Sequence, residues 1–234
     1  MKYTGSLGAC ASAADRLTQL QTFFSTYGDM FLANPTNVGG WLKFDITKGT
    51  ARKFSIQNSS SSWYPQIRKI DDSGYVPNCY WSNGDQVFNI GYAIQYIVVK
   101  NTNSCMIMLK RDTYRVVLIY TKCGTVDKIY FGWNYDGSLN YNTVPTTTDV
   151  AAGYEPNTQI SLSNCSLTDS NYEILIPMLL PNNLTGKLYD NVAADMFLFS
   201  NKGGYISGNS VTINGVEYIS LDMTTSSGKL FRVN

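Results

Sequence analysis

The strongest constraint on this chain is a series of apolar runs joined by very short polar links. Residues 86–101 (QVFNIGYAIQYIVVKN), 105–110 (CMIMLK) and the two arms of 111–133 (RDTYRVVLIYTKCGTVDKIYFGW) follow one another. Only NTNS, KRDT and TKCGT separate them. Parallel neighbours need a crossover of about a dozen residues or more. These links cannot supply one, so the four runs predict an antiparallel meander. The last pair is apolar on both sides of its turn, which marks it as the centre of a sheet rather than an edge.

The flanking sequence extends the same architecture. WLKFDI and ARKFSIQ bracket Thr47, Lys48, Gly49 and Thr50, a hairpin signal in which Gly49 supplies a left-handed backbone angle. VTINGVEYISLDM carries Asn214-Gly215, the pair preferred in type I′ turns. YEILIPMLL reads as a buried run closed by Pro181, and GKLFRVN as a final strand. One helix is expected near the start. Ser12 and Asp15 form a capping-box-like opening, Leu17, Leu20, Phe23 and Phe24 recur at spacings of three and four, and Gly28 suits the C-terminal cap. Residues 134–159 are polar, carry two prolines and lack periodicity, so they read as a linker or a long surface loop. The expected fold is mainly β, an antiparallel β-sandwich-like meander with one N-terminal amphipathic helix. It forms either a single β-rich domain over 1–234 or two lobes, 1–133 and 160–234, joined through 134–159.

Charge and chemistry narrow the function classes. The 234 residues carry a net charge of +1, which gives no electrostatic pull toward nucleic acid or an anionic membrane. The longest apolar stretch, YAIQYIVV, is too short to span a bilayer. Histidine is absent, and with it the commonest general base and metal ligand. Cys10, Cys79, Cys105, Cys123 and Cys165 form no CxxC pair and read as mostly free thiols. Cys105 and Cys123 fall on neighbouring predicted strands, which leaves a bridge between them open. Asp71-Asp72 reads as a solvated turn before Ser73-Gly74. No nucleophile elbow, phosphate loop or dinucleotide fingerprint occurs, so neither a catalytic residue nor a cofactor is expected. Aromatic residues make up 13% of the chain, and Trp63, Tyr64, Tyr80, Trp81, Trp133 and Tyr135 lie beside turns. Such residues either close the ends of a sandwich or form a platform that stacks on sugars or fills interface pockets.

Several of these segments together resemble a family of tailed-bacteriophage virion structural proteins. The opening YTGSLGACASAADRLTQLQTFFSTYG is similar to that family's Thr/Gly-rich strand followed by a helix, with Leu17, Leu20, Phe23, Phe24 and Gly28 in the matching positions. WLKFDITKGTARKFSIQ looks like the hairpin that follows. Residues 115–119 (RVVLI), 122–126 (KCGTV) and 129–133 (IYFGW) resemble the family's strand, polar turn and Gly-aromatic closing strand. NGVEYISLDMTTSSGKLFRVN is similar to its terminal hairpin and strand. After the Gly-aromatic strand the family has a loop rich in Tyr and Pro, where this chain has the Asn/Thr-rich NYDGSLNYNTVP, and the chain departs also in NPTNVGG after the helix. The resemblance implies a structural part of the virion, of tail or baseplate, assembled in the bacterial cytoplasm. It implies no enzymatic activity, contacts with other virion proteins, and a homo-oligomeric ring or array. The alternative from the aromatic residues is a carbohydrate- or receptor-binding β-sandwich module.

Overall fold

The computed structural model describes residues 1–49, 51–59, 62–123, 126–134, 139–143, 175–182, 187–200, 208–223 and 227–233. The N-terminal half opens with β1 (Lys2–Leu7), α1 (Ala13–Tyr27), β2 (Leu32–Val38), β3 (Trp41–Ile46), β4 (Arg52–Ser59), β5 (Ser62–Lys69), β6 (Tyr75–Tyr80) and α2 (Asp85–Phe88). The meander follows as β7 (Ile94–Asn101), β8 (Ser104–Arg111), β9 (Tyr114–Cys123) and β10 (Val126–Asn134). Beyond it lie β11 (Leu139–Thr143), β12 (Leu175–Asn182), β13 (Lys187–Ser200), β14 (Ser210–Ile213), β15 (Val216–Met223) and β16 (Ser227–Arg232). The fold is mainly β and antiparallel, as the patterning predicts.

The central meander is buried on both faces, which explains its two-sided apolar sequence. Val98, Cys105, Ile107, Leu109, Val116, Leu118, Tyr120, Ile129 and Phe131 face one core. Their alternates Ile97, Val99, Met106, Met108, Val117, Ile119 and Tyr130 face another. Side chains alternate across a strand, so both faces must be covered. On the first face lie α1 and the five-stranded sheet β2-β3-β4-β5-β6. On the second lie β13, β15 and β16, through Met196, Ile219, Leu221 and Phe231. The result is three layers. Residues from both halves of the sequence share the second core.

The helix forms where its cap and stripe place it. The Ser12 hydroxyl accepts the Asp15 N–H at 3.1 Å and donates to the Asp15 carboxylate at 2.7 Å. Gly28 ends the helix, its N–H donating to the Phe24 carbonyl. Leu17, Leu20, Phe23 and Phe24 are buried as expected, but Arg16 is also fully buried. Its guanidinium donates to the carbonyls of Gly8 (3.0 Å), Asn89 (3.1 Å), Ile90 (3.3 Å) and Tyr92, and to the Gln19 side-chain oxygen. All of these acceptors are neutral. A rigid fork of donors thus fastens α1 to the chain on either side of it.

Three expectations need correction. The patterning predicts strand from Gln86, yet Asp85–Phe88 is a short second helix. The Asp85 carboxylate accepts the Trp63 N–H at 2.6 Å, and Phe88 packs on Trp63 with ring centroids 6.2 Å apart. That turn buries Val87 and Phe88 together, which a surface strand could not do. Within 134–159, Leu139–Thr143 is a strand paired with β10 rather than loop; the remainder, apart from Asn134 at the end of β10, lies outside the described residues. The proposed Cys105–Cys123 bridge is absent, because Cys105 is free and stands opposite Tyr120. The Cys123 backbone is three residues further along β9 and about 10 Å away, too far for a disulfide.

Two predictions follow from this packing. Arg16→Met removes the guanidinium from four carbonyls, of which Gly8, Asn89 and Ile90 keep a second donor in Gln19 Nε2, the Tyr92 N–H and the Cys10 N–H, so urea unfolding should show a loss of about 2 kcal/mol. Arg16→Lys should recover less than half of it, since a point ammonium cannot span the same acceptors. Burial raises the thiols of Cys79 and Cys105 to about 12. Iodoacetamide labelling of the native protein at pH 8, mapped by mass spectrometry, should leave both unmodified until denaturant is added.

Candidate functional site

The five-stranded sheet turns one face to the core and the other outward, and the outward face carries the chemistry. On β3 the inward positions are Leu42, Phe44 and Ile46, which leaves Trp41, Lys43 and Asp45 outward. The register sets Gln57, Ser55 and Lys53 of β4 beside them, then Tyr64, Gln66 and Arg68 of β5. Tyr80 and Tyr75 of β6 complete the rows opposite Gln66 and Arg68. At the other side Val38, 76% exposed, stands opposite Trp41.

Three cations on this face converge on one carboxylate. Asp72 sits in the β5–β6 turn with φ 62°, a left-handed conformation that aspartate tolerates better than most side chains. From there its side chain reaches Lys43 and Lys53, each at 3.0 Å, and Arg68 Nε at 3.0 Å. Arg68 also donates to the Asp72 carbonyl. Partial burial alone would raise the Asp72 carboxyl, but hydrogen bonds from Lys43, Lys53 and Arg68 together outweigh it and hold it at about 2. The Asp71-Asp72 pair is therefore split. Asp71 caps the turn through the Ser73 N–H, in keeping with a solvated turn, whereas Asp72 is the hub of an ion cluster.

Aromatic rings flank the cluster on both sides. Arg68 and Lys43 lie over the Trp41 ring at 4.7 and 5.0 Å. Opposite, Tyr64, Tyr80 and Tyr75 form a ladder. Tyr64 and Tyr80 stack at 5.7 Å and 10°, and Tyr80 and Tyr75 at 4.8 Å and 23°. Burial, then the nearby phenols of Tyr64 and Tyr75, raise the Tyr80 hydroxyl above its ordinary value. The Tyr80 phenol therefore remains a protonated donor at neutral pH.

Of the six aromatic residues singled out in the sequence, only Tyr64 and Tyr80 meet on this face. Trp63 and Trp81 are 2% and 4% exposed, so neither can stack on a ligand. Strand parity explains Trp63: its neighbour Tyr64 points outward, so Trp63 points inward. Trp133 is half-buried on β10 beside Phe131, and Tyr135 lies outside the described residues. Trp41, Tyr75 and the Asp72 hub were missed. The signal lay in the alternation of WLKFDI and SWYPQIRK, whose polar positions fall on one side. Among the described residues no three His, Cys, Asp or Glu side chains gather as a metal site. No helix among them is long and apolar enough to cross a membrane. The chain matches no family model, no curated protein and no solved structure.

The ion hub predicts a specific acid sensitivity. The folded Asp72 carboxyl lies below its unfolded value, so its stabilisation is present above about pH 4. It is lost as pH falls through about 2. Asp72→Asn should cost about 2 kcal/mol at pH 7 in urea unfolding, and the gap to the wild type should close between about pH 4 and 2. A gap that stays constant across that range would contradict the assignment.

Proposed function

We propose that this protein is a structural component of a bacteriophage virion, of the tail or baseplate, and that it acts by assembly rather than catalysis. The family resemblance supports the virion setting, and one feature of the fold carries the assembly reading: the open edge of β1. Exposed edges template pairing with other chains, and most edges here are blunted. β2 holds Pro35 and a register shift between Ala33 and Thr36. β6 holds Pro77 and an irregular register, and β12 holds Pro177, Pro181 and two register shifts. β14 has only four residues.

β1 has none of these protections. Its six residues pair with β7 in unbroken register, its single charge is Lys2, and Thr4, Gly5 and Ser6 are exposed. Among the described residues no strand pairs with its other side. Such an edge supports strand addition by a neighbouring copy or another virion protein. Repetition of that contact about an axis gives a ring or array. The packed cores on both faces of the meander would hold the edge and the outward sheet face in place.

Purified particles, analysed by mass spectrometry and imaging, should contain the protein at a fixed copy number. Thr4→Lys/Ser6→Lys places two charges on the open edge. This variant should melt like the wild type yet be incorporated about tenfold less, a loss equivalent to about 1.4 kcal/mol per contact. Recovery of the wild type only as a free monomer in the lysate would overturn the proposal.

A further inference from the structure

We infer that the outward face of β3–β6 is a binding site for a saccharide that carries a carboxylate or sulfate. This inference is independent of the assembly reading, which rests on the β1 edge. Lys43, Lys53 and Arg68 surround one carboxylate, Asp72. The face's other carboxylate, Asp45, is held at the β2 side by the Asn34 amide at 2.9 Å. Three cations against two carboxylates leave the face net positive, and the excess lies at the Asp72 hub. Asp72 occupies one donor each of Lys43 and Lys53, so further ammonium N–H groups stay available to a second anion.

A second observation marks the same spot. Ser55 lies between Lys43 and Gln66 in the register and is fully buried, and its hydroxyl has no partner among the described residues. Buried hydroxyls are normally satisfied. The polar capacity of the site therefore exceeds what Asp72 supplies.

The surroundings favour a sugar over an acidic peptide. Extended peptides are read through backbone pairing at a sheet edge, but β3, β4 and β5 are paired on both sides and the β6 edge is interrupted by Pro77 and an irregular register. What it offers is side chains: the phenols of Tyr64, Tyr75 and Tyr80, the Gln57 amide, and the ring of Tyr75, a residue 51% exposed. Phenol and amide groups match sugar hydroxyls, and an aromatic ring matches the C–H face of a pyranose. The anion would sit at Lys43, Lys53 and Arg68, with the sugar ring toward the tyrosine ladder.

Titration calorimetry of the full chain tests this with four probes: a sialic-acid oligomer, a sulfated chondroitin oligosaccharide, neutral maltohexaose and a glutamate hexapeptide. At least one acidic saccharide should bind, and which one does separates carboxylate from sulfate. Raising salt from about 20 to about 300 mM should weaken it about tenfold or more. Tyr75→Ala lies outside the ion cluster and spares the core, and it should weaken binding several-fold. The inference is overturned if neither acidic saccharide binds, if the glutamate peptide binds as tightly, or if Tyr75→Ala has no effect.

Discussion

The need to cover a β-meander that is apolar on both faces organises this molecule. A sheet with one wet face could stand with a single packed layer. Here Val117 and Ile119 point one way while Val116 and Leu118 point the other, and all four are buried. Each face at about 25 cal/mol per Å² of apolar surface is costly to leave in water. The chain therefore commits one sequence block to each side: α1 with β2–β6 on one, β13, β15 and β16 on the other. The five-stranded sheet is a cover first, and its outward face became available for chemistry because its inward face is fully occupied.

Local signals were readable in the sequence where one residue sets a geometry by itself. Ser12, Asp15 and Gly28 bound α1 as their side chains and backbone freedom dictate. Asn214 and Gly215 both take left-handed angles, φ 50° and 78°, as a type I′ turn requires. The central meander was readable because short links leave no other pairing. What failed was parity and distance. Trp63 and Tyr64 are adjacent and equally aromatic, and only the register of β5 against β4 decides which is buried. Arg16 stands one turn before Leu20 on the buried side of α1, but its carbonyl partners at 89–92 are far away in sequence. Asp72 likewise needs Lys43 and Lys53 from other strands before it becomes a hub.

The ion hub and the tyrosine ladder depend on the same scaffold. Phe54, Ile56 and Ile67 fill the inner side of β4 and β5, and alternation then fixes Lys53, Ser55, Gln66 and Arg68 on the outer side. Asp72 ties three strands together through their cations, which holds long, flexible lysine side chains in one place. A surface pair of this kind contributes little alone, whereas a network around one carboxylate also limits where the charges can go. Preorganised charge beside rigid rings lowers the ordering cost of binding any ligand there.

The C-terminal layer is attached in a different way. Its only backbone pairing to the meander among the described residues is Ala193 with Cys123. Apolar contacts supply the adhesion, but they are non-directional and do not set a register. A polar junction does so. Asp195, with φ 63° in β13, accepts from the Ser104 hydroxyl at 2.6 Å and from Arg232 Nε at 2.9 Å. The Thr121 hydroxyl donates to the Ala194 carbonyl at 2.7 Å, and the Asn101 amide to the Arg232 carbonyl at 3.0 Å. The Ser104–Asp195 bond is buried and the other three are part-buried, so sliding is resisted because a shift strands the desolvated Asp195 carboxylate. The layer so fixed carries Glu217, which pairs with Lys2 of β1. The junction at Asp195 therefore sets how the C-terminal hairpin stands beside the open β1 edge, and any strand added there would meet that hairpin.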